Sequence, residues 1–297
     1  MRRIVLLMAM AAGAAATHAA CPPEGYDREQ LTGLRDRAFA LEDSQARNAL
    51  ALRLLDCLGD PDPLLRDGVA FEALSAWLRA DRLSLATRRA LLKRLLRLLD
   101  SSTADAAGFR RPFAALVMSE LVRTDRIAPW LDAAQREALV AAAARYLISV
   151  DDYRGFDDAE GWRHGVAHGA DLLLQLVLNP SVDAAQIERL LAAVAGQVAP
   201  AGTHFYVYGE AERLVRPVLS AALRETRTDA QWQDWFAAVA APAPLPDWRA
   251  AFQSRAGLAR RHNVRAFLSA IYIGASDGDP KLAVLAPMAR ARLLEIP

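Results

Sequence analysis

Lysine is nearly missing from this chain: Lys93 and Lys281 are the only two among 297 residues, and arginine supplies the other positive charges. The 36 basic residues face 35 acidic ones and gather into no stripe. That excludes the electrostatic footprint of a nucleic-acid binder, and the arginine excess reads as a compositional bias rather than as phosphate recognition. Cysteine is as scarce, with Cys21 and Cys57 alone, so no paired-cysteine metal motif can form. After the first twenty residues no apolar run reaches the ~20 residues that a membrane-spanning helix needs, so the mature chain carries no transmembrane segment. Alternating strand patterns are lacking too, which argues against a sheet-based fold.

What is present begins with a leader. Arg2 and Arg3 precede the apolar run Ile4–Ala16, and small residues lead to Ala19 and Ala20 before Cys21-Pro22-Pro23. This order predicts a signal peptide over residues 1–20, cleaved after Ala19 or Ala20, and a periplasmic or secreted mature protein. The alternative is a lipoprotein anchored through Cys21. His18 stands where such sites usually carry Leu or Val, and Pro22 is a poor neighbour for one. Removing the leader leaves 34 basic and 35 acidic residues, a net charge of −1. In an oxidising compartment Cys21 and Cys57 are the one pair available for a disulfide; otherwise Cys57 is a small buried apolar residue.

The rest, residues 21–297, predicts a single all-α domain. Asp27 with Gln30 makes a capping-box helix start, Asp43 opens a second helix that Gly59 ends, and Asp62-Pro63 starts a third. Further helices are expected at 84–99, 107–123, 132–149, 160–178, 183–198, 207–224, 229–240, 247–272 and 281–295. Helices of about 15 residues joined by short turns make antiparallel neighbours. Stacked helical hairpins of the HEAT/armadillo-like α-solenoid type are the expected architecture, with an α/α toroid as the alternative. The Ala241–Pro246 stretch is the one linker-like segment.

Polar chemistry concentrates between Asp151 and Asp171. On a helix, His164, His168 and Asp171 at i, i+4 and i+7 fall within roughly 60° of one another. Two imidazoles and a carboxylate so placed could hold a divalent metal such as zinc, or could make a carboxylate-oriented histidine base. The same stripe would serve as a structural network, with His168 bonded to Asp171. Metalloprotease helices carry Glu directly after the first His, where this chain has Gly165. Gly161, Gly165 and Gly169 recur every fourth residue, and each costs about 0.8–1 kcal/mol inside a helix. Close approach of a neighbouring helix, or room for a ligand, would compensate. The acids Asp151, Asp152, Asp157, Asp158 and Glu160 have no EF-hand spacing.

Several separated stretches carry a family resemblance: Leu58–Asp67, Asp152–Phe156, Gly161–Asp171, Gly209–Leu214 and Asn263–Tyr272. Together they resemble a bacterial family catalogued as domain of unknown function 2785. The resemblance implies no activity or substrate. It does single out Glu210, Glu212 and Arg213, with Asn263 and Arg265, and it differs at Ala211, where an acid often stands.

Two functions follow. One is a non-enzymatic binding or scaffold module of the cell envelope, its partner an unspecified protein or small-molecule ligand. The other is a metal-dependent or acid–base hydrolase combining His164, His168 and Asp171 with Glu210 or Glu212 and Arg213. Phe205, Tyr206 and Tyr208 would line its pocket, with His204 and His262 nearby.

Overall fold

A computed structural model describes residues 21–100, 105–276 and 278–297; the expected leader lies outside them. The described residues are mostly helical. It opens with α1 (Arg28–Asp36) and α2 (Ser44–Arg53), followed by a tight 3-10 stretch, Leu54–Gly59. The short α3 (Pro63–Leu65) runs through a π-helical turn, Arg66–Phe71, into α4 (Glu72–Arg79). Then come α5 (Leu85–Leu99), α6 (Arg110–Ile127) and α7 (Ala133–Ile148). After a β-hairpin, α8 (Gly165–Val177), α9 (Ala184–Val198), α10 (Glu210–Leu223) and α11 (Asp229–Val239) follow. The last helices are α12 (Arg255–Ser276) and α13 (Leu285–Glu295).

The local reasons for these boundaries recur. Asp27 with Gln30, Asp132 with Gln135, Asp183 with Gln186 and Thr228 with Gln231 each form a reciprocal capping box. Each satisfies two amides that a helix start would otherwise leave bare. Pro63 takes the first position of α3, where its missing N–H costs nothing.

The helices pack in two rows. α6, α8, α10 and α12 each touch the next, while α5, α7, α9 and α11 do the same alongside. Contacts of α5 with α6, α7 with α8 and α9 with α10 join the rows. The apolar side chains between them form one core running from Leu31 to Ile296. Among the described residues, no helix is long and apolar enough to cross a membrane.

The structure departs from the sequence reading most clearly at residues 160–164. The helix expected from 160 begins only at Gly165. Ahead of it, β1 (Phe156–Asp157) and β2 (Gly161–Trp162) pair as an antiparallel hairpin. The Asp157 carboxylate accepts from the Ala159 and Glu160 amides (2.9 and 3.0 Å), closing the turn. Gly161 and His164 take left-handed backbone conformations (φ 74° and 57°), which no α-helix accommodates. The helix expected to start near 247 likewise begins at Arg255, after a 3-10 turn over Trp248–Gln253.

Cys21 and Cys57 are joined by a disulfide across 36 residues, and Cys57 is fully buried. The bridge ties the extended N-terminal segment to the turn after α2. Closing a loop of this length removes chain entropy worth about 4 kcal/mol from the unfolded state. Urea unfolding with and without reductant is therefore expected to differ by about that amount, with the reduced chain the less stable. Coincident transitions would contradict the stabilising role.

Candidate functional site

Two loops meet at the N-terminal ends of the neighbouring helices α8 and α10. Residues 149–164 lead into α8 and residues 199–209 into α10. The first loop carries the hairpin, and its position is set from below by Arg66. This guanidinium is fully buried. It donates to the Glu160 carbonyl (2.7 Å), to the Asp60 and Pro61 carbonyls (3.0 and 3.3 Å) and to the Asp67 carboxylate (2.8 Å). Its carbon also lies 3.8 Å from the Phe109 ring centre. Arg163 approaches the same ring at 4.2 Å and donates to the Ala107 carbonyl and the Glu160 carboxylate (2.8 and 2.6 Å).

The second loop is held from α12. The buried Asn263 accepts from the Tyr206 amide (2.8 Å) and donates to the His204 carbonyl (3.1 Å). Between the loops, the His164 ring Nε2 lies 2.9 Å from the Tyr208 carbonyl. Gly155 permits the contact from the other side: a Cβ there would sit 2.1 Å from the Tyr208 ring.

Of the residues singled out from sequence, Asp171, Arg213, Glu210 and His164 form a network of engaged groups, while His168 and Glu212 stay outside it. Asp171 is ion-paired with Arg213 through two hydrogen bonds, one of them 2.9 Å from Nε. Arg216 lies 4.0 Å away. Glu210 is buried and accepts from the Tyr208 amide at 2.8 Å. Desolvation pushes its carboxyl above the usual range, against the pull of the Glu210 and Tyr208 amides. Glu212 is exposed. His168 is buried with its ring steeply inclined to that of Phe113, centroids 5.1 Å apart, and among the described residues its Nδ1 has no partner.

Among the described residues no group of three or more His, Cys, Asp or Glu is placed to hold a metal. The His164/His168/Asp171 set expected from sequence does not form such a group. Arg213 occupies the carboxylate, and packing encloses the His168 ring. His164 does lie near His168, centroids 5.9 Å apart, but as the left-handed residue preceding α8 rather than as a member of it.

The sequence reading missed the cleft above this network. Tyr153, Arg154, Phe156, Arg163, His204 and Tyr208, together with Gly155 and Asp157, line a space of about 400 Å³. Tyr153 stacks on His204, centroids 5.0 Å apart and planes 20° apart. Trp162 stacks on His164 at 4.5 Å and 20°. Of Phe205, Tyr206 and Tyr208, the lining of this cleft includes Tyr208 alone. Tyr206 is buried with its hydroxyl on the Gln197 carbonyl (2.9 Å), and Phe205 packs near His262. The signal in the sequence is the aromatic pair Phe156 and Trp162, which stand opposite each other once this segment is a hairpin and not the start of a helix.

Burial lowers the pKa of His168 to about 3, with the nearby His164 and Arg213 adding to the effect. The folded value lies below the unfolded value of about 6.5, so the folded state binds fewer protons. The associated stability is complete above about pH 6.5 and is lost as pH falls toward 3. At pH 5 the loss is about 2 kcal/mol. Urea unfolding at pH 7.5 and pH 5 is expected to show a decrease in the wild type that is about 2 kcal/mol smaller in His168→Leu. Equal decreases in both proteins would contradict a buried neutral imidazole.

Comparison with known proteins adds a family and nothing nearer. No curated protein and no solved structure matches the chain. The family described as Protein of unknown function (DUF2785) matches residues 95–273. That span covers more than half of the chain, including both loops, α8, α10 and Asn263, but begins after the Leu58–Asp67 stretch that also suggested it. The chain belongs to the family of Protein of unknown function (DUF2785).

Proposed function

We propose that this chain is a binding protein of the cell envelope that holds a small ligand in the cleft between residues 153–163 and 204–208. The observation that carries this reading is the concentration of accessible aromatic surface beside a concavity. Phe156, Trp162 and Tyr208 are 46%, 38% and 36% exposed, and Phe156 and Tyr208 line the cleft itself. Large aromatic rings left in water beside a cleft with a few polar groups are the usual make-up of a ligand site. A volume of about 400 Å³ falls in the range of such sites.

Binding is favoured over hydrolysis because Asp171 and Glu210, two of the acids expected to do chemistry, already have partners. Asp171 holds Arg213, and Glu210 holds the Tyr208 amide. The envelope location is supported by the Cys21–Cys57 bridge, since disulfides persist in oxidising compartments. A sulfur so bonded is also unavailable for a lipid thioether, which favours a mature chain without an anchor at Cys21.

A thermal-shift screen of small polar metabolites against the wild type and Phe156→Ala/Tyr208→Ala tests the proposal. A ligand at about 100 times its Kd stabilises by about 2.7 kcal/mol, or about 5 °C for a chain of this size. At least one compound is expected to raise the wild-type midpoint by that amount and leave the double variant unmoved. Stabilisers acting equally on both, or none acting on the wild type, would overturn the reading.

A further inference from the structure

We propose that the occupant of this cleft is a neutral carbohydrate, a pyranose unit stacked on the exposed aromatic surface; this rests on the binding reading above. Three features of the cleft select that ligand class.

Charge comes first. Both arginines lining the cleft already have carboxylate partners. Arg154 grips Asp152 (2.6–3.1 Å) and Arg163 grips Glu160 (2.6 Å). The lining carboxylate of Asp157 accepts two backbone amides. An anion such as a phosphate or a sugar acid is held best by an uncompensated cation, and both guanidinium groups of the cleft are already paired. A quaternary ammonium ligand needs an aromatic cage free of positive charge, and two guanidinium groups stand in this one.

Ring geometry comes second. The parallel stacks, Trp162 on His164 and Tyr153 on His204, are closed at 4.5 and 5.0 Å, which leaves no slot for a flat base to enter between them. The remaining ring pairs are inclined, Phe156 to Trp162 at 56° and Trp162 to Tyr208 at 89°. What these rings offer is single faces pointing in different directions. A pyranose suits single faces, because one side of the ring is a patch of C–H groups and its rim carries hydroxyls.

Hydrogen-bonding chemistry comes third. The Arg154–Asp152 pair is partly exposed, with side-chain accessibilities of 50% and 34%. It sets guanidinium donors beside carboxylate acceptors at the cleft edge. A hydroxyl is at once a donor and an acceptor, so two adjacent hydroxyls can satisfy both halves of such a pair. The fixed partner also holds the guanidinium in place before the ligand arrives, which lowers the ordering cost of binding.

The test is calorimetric titration of the full mature chain with maltotetraose, cellotetraose and chitotetraose, and with trigalacturonate as the anionic counterpart. At least one neutral oligosaccharide is expected to bind. Trp162→Ala and Tyr208→Ala should each weaken it tenfold or more with an unchanged circular dichroism spectrum, and Arg154→Met should weaken it severalfold. Binding of trigalacturonate alone, binding of none of the three neutral sugars, or neutral binding that survives both aromatic variants would overturn the proposal. If screened metabolites bind in the cleft while the oligosaccharides do not, the sugar assignment falls and the binding site stands. If neither binds, both fall.

Discussion

A charged guanidinium with no access to water sits at the junction of the N-terminal helices and the cleft. Arg66 can be buried there only because oxygen atoms and a ring face surround it: the Asp67 carboxylate, the carbonyls of Asp60, Pro61 and Glu160, and Phe109. Leaving such a charge unpaired costs several kcal/mol. The requirement therefore fixes segments far apart in sequence against one another. The 60–61 turn, the residue preceding α6 and the tip of the 155–163 hairpin must all converge on it. The π-helical turn that starts at Arg66 belongs to the same arrangement, a local irregularity of the kind often found beside sites.

From that junction the site is assembled outward. Arg163 repeats the motif, sharing Phe109 and bracing the hairpin against the Ala107 carbonyl. On the opposite side Asn263 fixes the 204–206 segment to α12. His164 spans the two loops through the Tyr208 carbonyl while carrying Trp162 on its ring face. The helical rows supply rigid supports, and the loops between them supply the chemistry, the usual division of labour between scaffold and site.

The helices were readable because their signals are local. Capping pairs such as Asp27/Gln30 and breaks such as Asp62-Pro63 lie within a few residues, and their meaning does not depend on distant partners. The histidine segment misled for the same reason. Gly161, Gly165 and Gly169 recur at a helical interval, yet Gly161 sits in a strand at positive φ, while Gly165 lets Val150 and Gly169 lets Tyr146 and Leu147 pack close to α8. Whether Asp171 faces a metal or an arginine depends on Arg213, 42 residues away. Likewise, Tyr208 joins the cleft because Gly155 leaves room for its ring. Such pairings are tertiary facts, and no spacing rule along the chain contains them.

Arg66 positions the hairpin wall of the cleft. Amide hydrogen exchange on the wild type and Arg66→Met tests that role most directly. The informative probe is the Arg163 amide, which bonds to the Gly155 carbonyl across the hairpin, and α9–α13 serve as the internal reference. Tenfold or faster exchange at Arg163 in the variant, with protection in α9–α13 unchanged, is the expected result. Unchanged protection at Arg163 would mean that the hairpin holds its place without Arg66, and would contradict the account.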